Sequence, residues 1–328
     1  MAGPRRRIHV VSLHPALRGA DGRFRNPDGG PAGQSLLNVA RMLLQGRGAP
    51  WPAAIIDPPA QLPPRHVPPG HAAFTFIGHA TFLIRLEDGT TILTDPIFSA
   101  RCSPVSWYGP KRVRPPALGL DALPQIDAVL VSHGHYDHLD LPSLRALHAR
   151  WRPRIITGLG HAALLAKNGV PGAMELNWGE SATLPGGHRA TYVPMRHFSA
   201  RGIRDRARAL WGGFAVEAVS GGRFVFVGDT AAGGHLDVIG AHFGGFGAAL
   251  IPIGAYEPTW FMQLVHMTPS QALEAQGQLR ARTAIGMHFG TFKLTQEAID
   301  EPALALAAAR GAQDFRVPAF GETIMLEL

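Results

Sequence analysis

The sequence predicts a layered α/β fold, and three observations carry that expectation. Short apolar runs suited to buried strands recur from residue 71 onward, with segments of helical spacing between them. One run, Val129-Leu-Val131, leads straight into His133-Gly-His135-Tyr-Asp137-His138. Three more candidate ligands, His197, Asp229 and His288, each follow another apolar run.

Taken in order, residues 1–70 are rich in proline and glycine and read as an N-terminal arm. One helix is expected in it, over 34–45. Leu36, Leu37, Ala40, Leu43 and Leu44 would form its apolar stripe, packed on the body. The remaining residues, 71–328, form the main domain. Phe74–Phe76 and Phe82–Leu86 are expected strands, and Thr91–Thr94 returns after an Asp-Gly turn. Asp95-Pro96 ends that strand. Residues 99–124 are expected to be a long loop of the kind that carries function. Further strands are expected at 128–132, 154–157, 189–194, 214–219, 223–227, 248–252, 284–287 and 323–326. Helices are expected at 141–149, 162–167, 269–279 and 302–310. Thr268, Pro269 and Gln271 form a strong helix start.

Composition narrows the function. A 328-residue chain that is 46% hydrophobic can build a large core. The charge of +7 and the pI near 10.3 favour anionic partners. No basic block is long enough for a nucleic-acid arm, so no specific nucleic-acid partner is expected. The single cysteine, Cys102, rules out an intrachain disulfide and a cysteine-built zinc site. No window is apolar enough for a spanning helix, and no secretory leader is visible. The expected location is cytoplasmic, with peripheral contact at the inner face of the membrane.

The histidine run offers four ligands within six residues. Imidazole nitrogen and carboxylate oxygen are what zinc accepts where thiolates are lacking. A sharp turn at Gly134 would spread these side chains toward two metals. His197, Asp229 and His288, held at strand ends, would complete the set.

These residues make the chain resemble the metallo-β-lactamase-fold hydrolases. More narrowly, it resembles the group that hydrolyses N-acylphosphatidylethanolamine by a phospholipase D reaction. The resemblance is carried by 76–81 (FIGHAT), 93–98 (LTDPIF), 109–112 (GPKR), the histidine run, 228–230 (GDT), 251–258 (IPIGAYEP) and 288–292 (HFGTF). It implies a four-layer αββα sandwich with two zinc ions at one edge of the sheets. His133, His135 and His197 would hold one ion, Asp137, His138 and His288 the other, and Asp229 would bridge them. Asp95 would orient a metal-bound imidazole from behind. From the residues alone, Asp95 reads equally as a turn former before Pro96.

The resemblance also implies the chemistry. Two zinc ions make water nucleophilic near neutral pH and offset charge on phosphoryl oxygens. Asp137 and Asp229 would act in catalysis, with Asp137 positioning or deprotonating the water. His266 would contact the substrate phosphate. Tyr256, Trp260 and Phe261, with Trp107 and Tyr108, would line an apolar channel for acyl chains. The arm helix and the positive charge would seat the protein on an anionic bilayer, and a homodimer is implied. Val265 is apolar where the mammalian lipase carries a polar residue, which points to an altered headgroup or acyl preference. Three alternatives compete: a lactonase or soluble-phosphodiester hydrolase on the same site, a nucleic-acid-processing protein, and a non-catalytic membrane-binding module.

Overall fold

Alternation along the strands decides which side of each sheet a residue faces. In a computed structural model, which describes residues 13–30, 32–44, 46, 48–60, 62–202 and 204–328, two seven-stranded sheets pack face to face. The first sheet contains β1 (His71–Gly78), β2 (Thr81–Leu86), β3 (Thr91–Thr94), β4 (Ala128–Val131), β5 (Arg154–Gly158) and β6 (Met174–Leu176). The second contains β7 (Ser181–Thr183), β8 (Arg189–Val193), β9 (Gly213–Glu217), β10 (Arg223–Phe226), β11 (Phe246–Pro252), β12 (Ala281–Met287) and β13 (Phe315–Arg316). The last strand, β14 (Thr323–Glu327), returns to pair with β1 at the edge of the first sheet.

Phe74 and Phe76 of β1, Phe82 and Ile84 of β2 and Leu130 of β4 join the core between the sheets. Their neighbours Ile77, Leu83, Val129 and Val131 belong to a separate cluster with Leu144 and Leu147 of α2 (Leu141–Trp151) and Leu165 of α3 (Ala162–Lys167). Leu236 and Ile239 of α4 (His235–Phe243) pack into the inter-sheet core's cluster from the far side. So do Leu273 of α6 (Pro269–Gln278) and Leu306 of α7 (Glu301–Ala309). Helix, sheet, sheet, helix is the αββα order the resemblance implies. β4 carries apolar residues on both faces because both are covered.

Several expected elements form with small boundary shifts. The 91–94 strand and the 162–167 helix keep their expected ends. Thr268 caps α6 through a reciprocal capping box, accepting from Gln271 N and donating its own N–H to Gln271 Oε1 at 3.0 Å. The expected 99–124 loop contains a short 3-10 turn at Leu120–Ala122 and is stitched by bridges Arg101–Lys111 and Arg112–Phe292. Sequence reading missed α4, the four-residue turn of helix Thr259–Met262 (α5), and β6, β7 and β13.

The arm helix, α1 (Leu36–Leu44), forms close to its expected bounds. Its stripe does not behave as a buried face throughout: Leu37 and Leu44 are exposed. Gln45 and the side chains of Leu36, Ala40 and Leu43 lie outside the described residues, as do residues 1–12. Polar contacts tie this region down instead. The Gln34 side chain donates to Phe261 O, and Arg41 sits 4.7 Å over the Trp260 ring. Phe24, by contrast, is buried in the main core.

Phe74 and Phe224 meet edge to face across the two sheets, with centroids 5.4 Å apart. Phe224→Ala is therefore expected to lower unfolding free energy by about 3–5 kcal/mol, read by urea denaturation.

Candidate metal centre

Strand ends from both sheets converge on one edge. β3 hands over to Asp95, and β4 runs through Ser132 into His133, His135, Asp137 and His138. From the second sheet, β8 leads to His197, β10 to Asp229 and β12 to His288. All seven residues expected as ligands meet here. His133, His135 and His197 place one donor atom each within 4.8 Å of one another, and so do Asp137, His138 and His288 together with His79. Asp229 stands between the groups. Its Oδ2 lies 3.1 Å from His138 Nε2, 3.3 Å from His288 Nε2, 3.7 Å from His197 Nε2 and 3.8 Å from His133 Nε2.

The donor geometry fits metal binding. His135 Nδ1 is 2.8 Å from His133 Nε2 and 3.2 Å from His197 Nε2. Two nitrogens bonded to one tetrahedral zinc stand about 3.4 Å apart, from bond lengths of about 2.0–2.1 Å. His138 Nε2, His288 Nε2 and Asp229 Oδ1 are buried and make no hydrogen bond. Buried polar atoms without partners are costly, and a cation would supply the partner.

The outer nitrogens are fixed from behind. His138 Nδ1 is 2.6 Å from Asp95 Oδ2, and Asp95 Oδ1 accepts from Ser132 N at 2.7 Å. His197 Nδ1 donates to Val265 O at 2.9 Å. Asp95 thus does more than terminate a strand. Its backbone is left-handed, as are those of His79 and His288. Such conformations cost of order 1–3 kcal/mol each and persist where surroundings enforce them. Here His288 N donates to His79 O at 2.8 Å, and His79 N donates to Thr291 Oγ1 at 3.0 Å.

The chain bends at Gly134 as expected, and close packing also requires glycine there. Its φ is not positive. A Cβ there would stand 2.6 Å from Ser199 Oγ and 2.7 Å from His161 Cε1. Glycine lets the histidine run lie flat against those residues.

Burial dominates the electrostatics. It holds His135 near pKa 3 and His197 near 4, helped by neighbouring histidines, and it lowers His133 and His266 strongly. These rings are neutral at pH 7, the state a metal ligand needs. Burial also disfavours charge on His138 and His288, but Asp229 and Asp137 outweigh it. His288 rises to about 9 and His138 well above its ordinary value. Asp137 and Asp229 stay ionised because the same histidines overcome the burial that would protonate them.

The expected substrate contacts divide. His266 joins the centre: its Nε2 is 3.9 Å from Asp229 Oδ2, and its ring is 5.1 Å from that of His197. Tyr256 is buried, with its hydroxyl donating to Glu301 Oε1 at 2.8 Å. Trp260 and Phe261 are half-buried on α5, beside the arm. Trp107 and Tyr108 are largely exposed. Sequence reading gave no role to His79, whose Nε2 lies 2.9 Å from Asp137 Oδ2. The signal was a lone histidine in the bend between two apolar strands.

Comparison with known proteins places the chain in a class. It belongs to the beta-lactamase superfamily, whose domain model matches residues 90–289, and it is a metallo-hydrolase of that fold. It is 41% identical over 243 residues to N-acyl-phosphatidylethanolamine-hydrolyzing phospholipase D 1 of Caenorhabditis elegans, covering 70% of this chain and 67% of that protein. The mitochondrial N-acyl-phosphatidylethanolamine-hydrolyzing phospholipase D of Saccharomyces cerevisiae is 34% identical over 220 residues, covering 66% of this chain but 47% of the yeast protein. The chain thus spans about two-thirds and under half of these relatives. A possible metal-dependent hydrolase from Veillonella parvula superposes with a TM-score of 0.63 at 20% identity, over 77% of this chain and 98% of that one, and shares the fold.

Two outcomes follow from the centre. In metal-free protein the depressed histidines (His79, His133, His135, His197, His266) take up protons on unfolding, so stability falls as pH drops below about 6.5. His288 works the other way, and its contribution is lost as pH rises through about 9. The urea midpoint of metal-free protein is therefore expected to peak near pH 6.5, falling as pH drops below it and falling again as pH rises from there through about 9, where His138 acts in the same sense as His288. Asp95→Asn is expected to weaken zinc binding about 10–100-fold in a chelator competition assay.

Proposed function

We propose that the chain binds two zinc ions and hydrolyses the phosphodiester of N-acylphosphatidylethanolamine, giving an N-acylethanolamine and phosphatidic acid. One observation carries the two-metal part of this reading: a single oxygen, Asp229 Oδ2, lies within 3.8 Å of histidine nitrogens from both ligand groups. His133, His135 and His197 would hold one ion, and Asp137, His138 and His288 the other, with Asp229 shared. Similarity to the worm and yeast phospholipases supports the choice of substrate.

Bound zinc supplies Lewis acidity, which offsets phosphoryl charge and makes water nucleophilic near neutral pH. The chain's own residues supply position and proton transfer. Asp137, oriented by His79, takes the proton of the attacking water. The new bond joins water oxygen to phosphorus, the bond to the ethanolamine oxygen breaks, and the proton passes to that oxygen. His266, kept neutral by burial, offers a hydrogen bond to the phosphate rather than a charge. Trp260 and Phe261 receive an acyl chain; Tyr256, pinned by Glu301, shapes the wall behind them. No helix among the described residues is long and apolar enough to cross a membrane. Exposed Leu37, Leu44, Trp107 and Tyr108, with the net charge of +7, seat the protein on an anionic surface.

The test compares turnover of the lipid, an aryl phosphodiester and a lactone, with zinc counted by mass spectrometry. Two zinc ions per chain and preference for the lipid are expected. His135→Ala should fold and lose turnover to background. A faster lactone reaction, or full phosphodiesterase activity in His135→Ala, would overturn the reading. Sedimentation with liposomes is expected to require anionic lipid.

A further inference from the structure

Beside the segments that follow β8 and β10 lies a cavity of about 750 Å³. None of the candidate ligands lines it. Its walls are mainly apolar, from Leu13, Leu17 and Pro27 of the arm and Trp178, Pro194 and Val238 of the body. Such a size and lining suit a small organic ligand.

The polar groups of this cavity define the ligand's chemistry. Arg196 is already compensated. Its Nε stands 3.1 Å from Asp28 Oδ2, and its Nη1 donates to Ala232 O at 2.6 Å. Among the described lining residues the Arg196 charge is thus already paired with Asp28, although its Nε makes no hydrogen bond. His235 differs. Its Nε2 is 2.9 Å from Thr230 Oγ1, and that hydroxyl spends its one hydrogen on Ala231 O at 2.9 Å. With the Thr230 hydrogen on Ala231 O, Nε2 is the donor and Nδ1 the acceptor. Burial holds the ring neutral, near pKa 3. Nδ1 is buried and has no partner. A Cβ on Gly233 would stand 2.8 Å from Arg196 Cδ and 3.1 Å from Nδ1, so glycine lets the Arg196 and His235 side chains pack closely there.

We infer that this cavity binds an uncharged single-chain amphiphile bearing a hydroxyl or amide N–H, which donates to His235 Nδ1. N-acylethanolamines fall in this class, but the inference stands apart from the reaction proposed above. The cavity shares a wall with the metal centre. Arg196 N donates to Thr230 Oγ1 at 3.0 Å, and the residues next in sequence to this pair are His197 and Asp229.

Calorimetric titration of the zinc-loaded full chain tests it with two probes of nearly equal size. N-methyldecanamide carries an N–H and N,N-dimethyldecanamide does not. The first is expected to bind about tenfold more tightly, because only it satisfies the buried acceptor. Val238→Trp fills the cavity and should abolish binding of both amides, with aryl phosphodiester hydrolysis unchanged. His235→Phe should erase the preference between them. Equal affinity of the two amides for the unmodified protein, or retained binding in Val238→Trp, would overturn the inference. If His235→Phe does not fold, those two measurements still decide.

Discussion

The burial of Asp229 among histidines from two different sheets is the constraint on which the rest of the molecule depends. A carboxylate in that position can remain ionised only if positive charge faces it. In the chain alone, His138 and His288 provide that charge and are driven upward in pKa for the purpose. The remaining histidines stay neutral because burial leaves too little countercharge for all of them. The arrangement is electrostatically unfinished: it holds buried nitrogens and an oxygen without partners. The His and Asp clusters are able to bind metal, which would supply those partners, and the fold keeps the donors converged.

The two sheets accomplish this by placing ligands just past strand ends, where the backbone is still held by ladder hydrogen bonds. Left-handed residues at Asp95, His79 and His288 turn the chain sharply enough to aim side chains inward. Each such turn is braced by contacts between elements far apart in sequence, as in the bond from His288 N to His79 O. The strain and the packing are therefore not separable. The inter-sheet core that aligns Phe74 with Phe224 also sets the distance across which Asp229 must reach.

Legibility in the sequence followed locality. The run from His133 to His138 was readable because its ligands sit within one turn after an apolar strand. His197, Asp229 and His288 were readable because each repeats the same grammar of apolar run followed by ligand. Asp95 was ambiguous from sequence, since a turn former and a buried carboxylate beside His138 look alike before Pro96. His79 was illegible in role, because its partner Asp137 is 58 residues away. The bend at Gly134 is legible, but the close approach of Ser199 and His161 to it is a tertiary fact. The short strands β6, β7 and β13 carry too few residues for periodicity to register. For the α1 stripe only Leu37 and Leu44 have described side chains. Helical spacing identified a helix, but Leu37 and Leu44 face outward, because spacing alone does not say what an apolar stripe packs against.

The arm is tied into the body at several points. Residues 1–70 are rich in proline and glycine and read as an arm with one helix packed on the body. Phe24 enters the main core, and Asn26 Oδ1 accepts a hydrogen bond from His197 N at 3.0 Å. The arm thus helps hold a metal-centre histidine from behind, and it forms one wall of the cavity over His235. A segment that braces a candidate ligand and borders the cavity over His235 is mechanically coupled to the candidate centre. Displacement at Asn26 would reach His197 through a single hydrogen bond. The same segment carries α1 against the Trp260 turn, so three features that looked unrelated in the sequence share one support.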